Sequence, residues 1–437
     1  MNANENQALN SETITRFIGK KRLMWIIVGI VAVVVAAVIV IPTSIILTKK
    51  KTTTTDVRST TTLSTTISTA TPTAITTEPS TAISLETSAT VSTEISTVQP
   101  FYKNWIQTNS MNNPRIAHTA SVLQNGKVLV TGGIGLKSAE LYDPSTATWT
   151  LINPMNHKRW WHSASVLLDG KLLVVGGEHD NYQCLSSSEL YDPVTEIWTT
   201  TGSMNSPRSQ HTASVLRNGS VLVTGGHIDH VQLNSAELYD PSTKSWTPIA
   251  NMKYARKWHQ ASVLDNGKVL VTGGLTNSAE LYDPSTKSWT ATGTMHYPRA
   301  GHTASVLANG KVLVAGASLG DTCMTGASPG DTCMTSAELY DSETGNWTIT
   351  GSLNNGRTGH AASVLINGSV LVCGGRAYMF YYMSSSEVYD PLTKIWYMTG
   401  DMNYKRYQHQ SSVLPNGTVL VTGTEEQGLP TSSAELY

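Results

Sequence analysis

Seven times in this chain an arginine is followed three residues later by a histidine, at His118, His162, His211, His259, His302, His360 and His409. An imidazole near a guanidinium can bind a metal, move a proton or hold an anion, so these pairs are the first candidates for chemistry. A residue type present in every copy of a repeat, however, does not supply a unique catalytic group. The pairs are therefore expected to be structural, tying the start of a strand to neighbouring backbone groups that would otherwise be buried without partners.

Outside these pairs the donor set is thin. His227, Asp229 and His230 share one loop and form a weak candidate metal site. The four cysteines, Cys184, Cys323, Cys333 and Cys373, show no CxxC spacing and outline no disulfide framework. No paired carboxylates and no Ser-His-Asp order stand out, and no cofactor is expected.

What positions the arginine and histidine pairs is a repeated supersecondary unit. Eight residues after each histidine stands a turn glycine (Gly126, Gly170, Gly219, Gly267, Gly310, Gly368, Gly417), and fourteen after each a second one (Gly132, Gly176, Gly225, Gly273, Gly316, Gly374, Gly423). Within residues 205–251, HTASVL, the turn RNG and SVLVTGG read as two strands joined by an Asn-Gly hairpin, with positive φ expected at both turn residues. SAELYD, PSTK and SWTPIA read as two more strands around a Pro-containing turn. Four antiparallel strands, a to d, make one blade, and a period of about 48 residues points to a radial array.

The aromatic residues keep the same spacing. Tyr142, Tyr191, Tyr239, Tyr282, Tyr340 and Tyr389 each precede a tryptophan by seven residues, at Trp149, Trp198, Trp246, Trp289, Trp347 and Trp396. Tyr437 has no tryptophan after it, and Trp105 has no tyrosine before it. Trp105 is therefore expected on the strand d that completes the last blade, which would pair the two ends of the array and leave no open sheet edge.

A glycine pair closing strand b, a Tyr ending strand c and a Trp opening strand d resemble the motifs of Kelch-type β-propellers, over the whole of residues 101–437. The resemblance implies an all-β, seven-bladed propeller. It departs at Ala317 and Thr424, where the glycine pair is incomplete, and at Ser342, which replaces the Pro after Tyr-Asp. The fifth copy also holds a tandem duplication, GASLGDTCMT followed by GASPGDTCMT (residues 316–335), which fits only a surface loop. The resemblance extends to secreted copper-radical oxidases of the galactose oxidase type, and so implies an alternative function: a copper-radical oxidase or glycan-processing enzyme with its site at the propeller mouth. In that family one Arg-x-x-His copy carries Tyr immediately before His, and both side chains bind copper. Here the residues before the histidines are Ala117, Trp161, Gln210, Trp258, Gly301, Gly359 and Gln408, so the ligand pair does not carry over.

Antiparallel blades put the a-to-b and c-to-d turns on one face and the b-to-c and d-to-a loops on the other. Only the second face varies in length and chemistry. His157, His179, His227, His230 and His296 fall there, with Trp160, Trp161, Trp258, Tyr182, Tyr254, Tyr297, Tyr378, Phe380, Tyr381, Tyr382, Tyr404 and Tyr407. Rings supply contact area and interspersed polar groups supply direction, as recognition of sugars or peptides requires. The ligand-binding candidates are Trp160, Trp161, Trp258, Tyr254, Tyr378, Tyr381, Tyr382 and Tyr407; the competing expectation is that some of these rings plug the central channel. The sequons at Asn218, Asn346, Asn367 and Asn416 all lie on the opposite face, where glycan would leave the aromatic face open.

The propeller is preceded by segments of another kind. Residues 23–47 are apolar and without charge, long enough to cross a bilayer as a helix, and are expected to be a retained signal anchor. Of the 48 residues from 52 to 99, 27 are Ser or Thr, which resembles a mucin-like O-glycosylated stalk. Fully extended, such a stalk would reach up to ~150 Å. The expected organisation is residues 1–22 as a cytoplasmic tail, 23–47 in the membrane, 48–100 as the stalk and 101–437 as an extracellular propeller. Beyond residue 51 the chain carries 30 − 7 = 23 basic against 31 − 2 = 29 acidic residues, which argues against a nucleic-acid partner. The expected function is recognition of an extracellular protein or carbohydrate ligand, not catalysis.

Overall fold

The computed structural model of the chain describes residues 101–317, 334–377, 381–426 and 429–437. Strand b carries the core. In the first blade Val128–Thr131 is buried throughout, and its alternate residues face opposite neighbours. Val128 and Val130 pack with Leu420 and Ala434 of the last blade, whereas Leu129 packs with Leu172 and Val174 of the second. A strand buried on both faces reads as an apolar run, as VLV does in nearly every copy.

Seven four-stranded antiparallel sheets form the propeller, the first being Thr119–Val122, Val128–Thr131, Ala139–Asp143 and Thr148–Ile152. The seventh is completed from the other end of the array. Its strands Gln410–Val413, Val419–Glu426 and Leu429–Leu436 are joined by Ile106–Gln107, with Ile106 opposite Leu436 and Gln107 opposite Glu435. Trp105 meets Tyr437 at 5.1 Å between ring centroids, matching Tyr239 and Trp246 at 5.1 Å within one copy. The closure expected from the unpartnered Trp105 is thus the one observed.

The tyrosine and tryptophan pairs also hold one blade to the next. Trp198 Nε1 donates to the Asn153 carbonyl at 2.8 Å, and the Tyr239 hydroxyl bonds Thr201 Oγ1 at 2.7 Å. Each contact crosses from a blade to its predecessor.

One local expectation is corrected. The a-to-b connection is not a two-residue turn with positive φ at Asn and Gly. In the first blade only Gly126 has positive φ (80°), the Leu123 carbonyl accepts from Gly126 N–H, and Asn125 Oδ1 accepts from Lys127 N–H. That is a type I turn closed by a glycine bulge, in which the Asn side chain braces the turn while its backbone stays right-handed. In the last blade, Thr424 in place of glycine accompanies a bulged strand b that runs on as Val419–Glu426, twice the usual length.

The duplicated segment of the fifth copy lies between strands b and c and is mostly outside the described residues; Met334 N–H donates to the Ala317 carbonyl at its base. Residues 1–100, with the expected membrane segment and stalk, are also outside them. Among the described residues no helix is long and apolar enough to cross a membrane.

Candidate functional site

The wall of the channel is built from the Arg-x-x-His units, whose two members have different tasks. Each arginine is buried within its own blade. Arg159 Nη1 donates to the carbonyls of Gly176 and Ser187, both at 2.9 Å, and Nη2 pairs with Glu189 at 2.9 Å. The other carboxylate oxygen of Glu189 accepts from Asn156 N–H at 2.6 Å, which fixes the d-to-a loop. Arg–Glu pairs of this kind recur in all seven blades, ending with Arg406 and Glu435 at 2.8 Å. The glutamates were missed in the sequence, although each stands two residues before the repeated tyrosine.

The histidine works between blades. His259 Nε2 meets Thr212 and Thr224 of the preceding blade at 3.0 and 3.1 Å. Its ring also covers Gly225, where a Cβ would lie 2.8 Å from His259 Cε1 and 2.6 Å from the Arg256 carbonyl. This contact is why the first glycine after strand b must be glycine. Burial pushes His162, His259 and His360 down to about 3 and holds His118, His211, His302 and His409 well below the usual imidazole range. The seven rings are therefore neutral at physiological pH.

Immediately before each histidine the constraint changes. Ala117, Trp161, Gln210, Trp258, Gly301, Gly359 and Gln408 all have φ between 50° and 62°. Left-handed backbone is uncommon for residues other than glycine, and for tryptophan it costs about 1 kcal/mol or more. It is held by a run of backbone hydrogen bonds that follows the channel mouth from Ala117 to Gln408. Trp161 N–H donates to the Ala117 carbonyl at 3.0 Å, Gln210 to Trp161 at 3.1 Å, Gly301 to Trp258 at 3.1 Å, Gly359 to Gly301 at 3.0 Å and Gln408 to Gly359 at 3.0 Å.

The seven left-handed residues frame a cavity of about 350 Å³ lined also by Tyr407, by the repeated histidines other than His302 and by neighbouring Thr and Gln side chains. Among the described residues, no Asp, Glu, Lys or Arg lines it. The chemistry offered is aromatic rings beside amides and hydroxyls, with Lys257 over the Trp258 ring and Arg376 over the Tyr407 ring.

The sequence-derived candidates separate into three positions. Trp161, Trp258 and Tyr407 reach the cavity, and Lys257 Nζ lies 4.5 Å over the Trp258 ring. Trp160 is buried, with Nε1 donating to Glu178 at 3.2 Å; Tyr382 is buried and stacks on Tyr407 at 5.5 Å. Tyr407 in turn lies over Gly359, where no side chain would fit. Tyr254 and Tyr381 stand exposed outside the cavity, each beneath a lysine ammonium, from Lys253 and Lys405. Tyr378 lies outside the described residues. Gln210 and Gln408 belong to the cavity and were not among the candidates; their signal was their place before a repeated histidine.

The sequons Asn218, Asn346, Asn367 and Asn416 are exposed in turns, three in a-to-b and one in c-to-d. His227 and His230 stack in parallel at 6.2 Å.

Residues 117–317 match the family model of the KLHDC2/KLHL20/DRC7 Kelch-repeats domain. The chain thus contains a Kelch-repeat domain, and its fold is a seven-bladed β-propeller. A search of the curated proteins gave no match. Among solved structures it is similar to a fungal alcohol oxidase of the AA5 family in complex with copper, at 19% identity and a TM-score of 0.65, covering 76% of each chain. It is similar also to YjhT, at 18% identity and a TM-score of 0.53, covering 67% of this chain and 99% of that one. At these identities the likeness is one of fold.

Proposed function

We propose that the protein is a membrane-tethered extracellular recognition module that seats a glycan or protein ligand at the mouth of its propeller. The carrying observation is the circle of seven left-handed residues, in which strained backbone presents Trp161, Gln210, Trp258 and Gln408 to one cavity. Aromatic rings with amide donors and acceptors suit a polar ligand such as a sugar ring or a peptide backbone. The tether follows from the apolar residues 23–47, the Ser/Thr-rich segment after them and sequons confined to the opposite face.

The oxidase reading is not adopted because the donors at the mouth do not fit a copper site of that type. No tyrosine precedes any of the seven histidines, and their imidazole Nε2 atoms are engaged by hydroxyls, or by the Cys373 thiol in the case of His409. The test is to screen the full chain, in detergent, on arrays of glycans and cell-surface proteins, with Trp161→Ala and Trp258→Ala beside Lys268→Ala on the opposite face. Binding lost only in the tryptophan variants supports recognition. Stoichiometric copper together with alcohol-dependent oxygen uptake would overturn it.

A further inference from the structure

Two short hairpins connect strands b and c in the second and third blades: Glu178–His179 with Gln183–Cys184, and His227–Ile228 with Val231–Gln232. Glu178 and Cys184 are direct cross-strand partners, so their side chains leave the ribbon on the same side. His227 comes from the second hairpin, held by a bridge to Ser209 that repeats the bridge of Glu178 to Trp160. A carboxylate, a thiol and an imidazole meet there, with ligand atoms all within 4.8 Å of one another.

The spacing matches a small cation. His227 Nε2 lies 3.2 Å from Glu178 Oε1. Two ligands about 2.0–2.1 Å from a tetrahedral ion stand about 3.3 Å apart, so this pair already has the required span, and the sulfur needs to close by on the order of 1 Å. The carboxylate is oriented from behind, by Trp160 Nε1 at 3.2 Å and Ser209 Oγ at 2.8 Å, the arrangement that stiffens metal ligands. Glu178 and His227 are buried, and Cys184 is half-buried, leaving an approach from solvent. Nδ1 of His227 is also buried without a hydrogen-bond partner.

We propose that Glu178, Cys184 and His227 form a three-ligand site for a borderline-soft divalent cation, zinc above all, with water in the fourth position. A thiolate and an imidazole select zinc over magnesium or calcium. A thiolate is the form that ligates, so binding releases the Cys184 proton to solvent. Asp229 and His230, which the sequence had grouped with His227, are replaced by partners from the neighbouring blade. The ion would clamp two variable loops together beside Trp160.

The full chain, stripped with chelator and titrated with Co²⁺, should develop a thiolate-to-cobalt charge-transfer band that Zn²⁺ abolishes. The band should be lost in Cys184→Ser and its midpoint weakened at least tenfold in His227→Ala. In the unaltered chain, Zn²⁺ should slow alkylation of Cys184, located by peptide mass spectrometry, which keeps the test independent of how the variants fold. A cobalt band undiminished in folded Cys184→Ser, or an alkylation rate at Cys184 unchanged by Zn²⁺, would overturn the site.

Discussion

One step along the chain separates the most uniform part of this propeller from the most varied. His118 and its counterparts are identical in all seven blades, whereas the residues just before them are Ala, Trp, Gln, Trp, Gly, Gly and Gln. At the histidine the fold constrains the side chain, which fills the seam over a glycine of the preceding blade. One residue earlier it constrains the backbone, at a left-handed φ, and the side chain faces the cavity except at Gly301 and Gly359, where Thr358 and Tyr407 leave no room for one. Uniformity here marks the seam and variety marks the mouth.

The largest test of the seam is acid. The histidines are depressed below 6.5, some to about 3, so the folded state binds fewer protons than the unfolded chain across that interval. Their stabilising contribution is fully present above about pH 6.5 and is lost as pH falls toward 3; Glu140, Glu189, Glu237 and Glu338, held below the usual carboxylate value by hydrogen bonds and their arginines, act in the same direction further down. Denaturant midpoints should therefore fall steadily below about pH 6.5. A flat profile from 6.5 to 4 would mean that the histidines are not buried neutral.

Next in size is the pair within a blade. Arg357→Ala leaves Glu387 buried without its cation, where the two now sit 2.7 Å apart and fully enclosed. Breaking such a pair costs about 3–5 kcal/mol, measurable by urea unfolding. A loss under about 1 kcal/mol would assign the frame to apolar packing alone.

How much of this was legible in the sequence depended on what was repeated with one residue type. Blades, closure through Trp105 and the structural nature of Arg-x-x-His could be read because side chains are specified there. The mouth circle could not, because what repeats is a φ angle, and Ala, Trp and Gln do not announce one. The glutamate partners were legible in principle, since Glu140 and its counterparts hold a fixed place before tyrosine. Glu178, Cys184 and His227 were not, because residues on two separate loops become neighbours only through blade packing.

A smaller effect isolates the seam contact from backbone strain. Gly225→Ala and Gly368→Ala both place alanine at positive φ, 60° and 83°, but only the first meets neighbouring atoms within 4 Å. Each should lose about 1 kcal/mol to backbone strain, with Gly225→Ala losing a further 1–3 kcal/mol to crowding. Equal losses in thermal unfolding would remove the histidine from the seam. Smaller still, Gln210→Gly relieves a left-handed residue and should change stability by less than about 1 kcal/mol.

The contrast between seam and mouth is tested most directly by replacing Trp161 and Trp258 together with glycine, then measuring unfolding free energy and affinity for the ligand found on the arrays. Glycine keeps the left-handed backbone and removes only the rings. The double variant should unfold within about 1 kcal/mol of the parent, while affinity falls at least tenfold, as loss of aromatic anchors worth about 2 kcal/mol each implies. A variant that loses several kcal/mol of stability yet binds as tightly per folded molecule would make the mouth circle part of the frame, and would contradict the account.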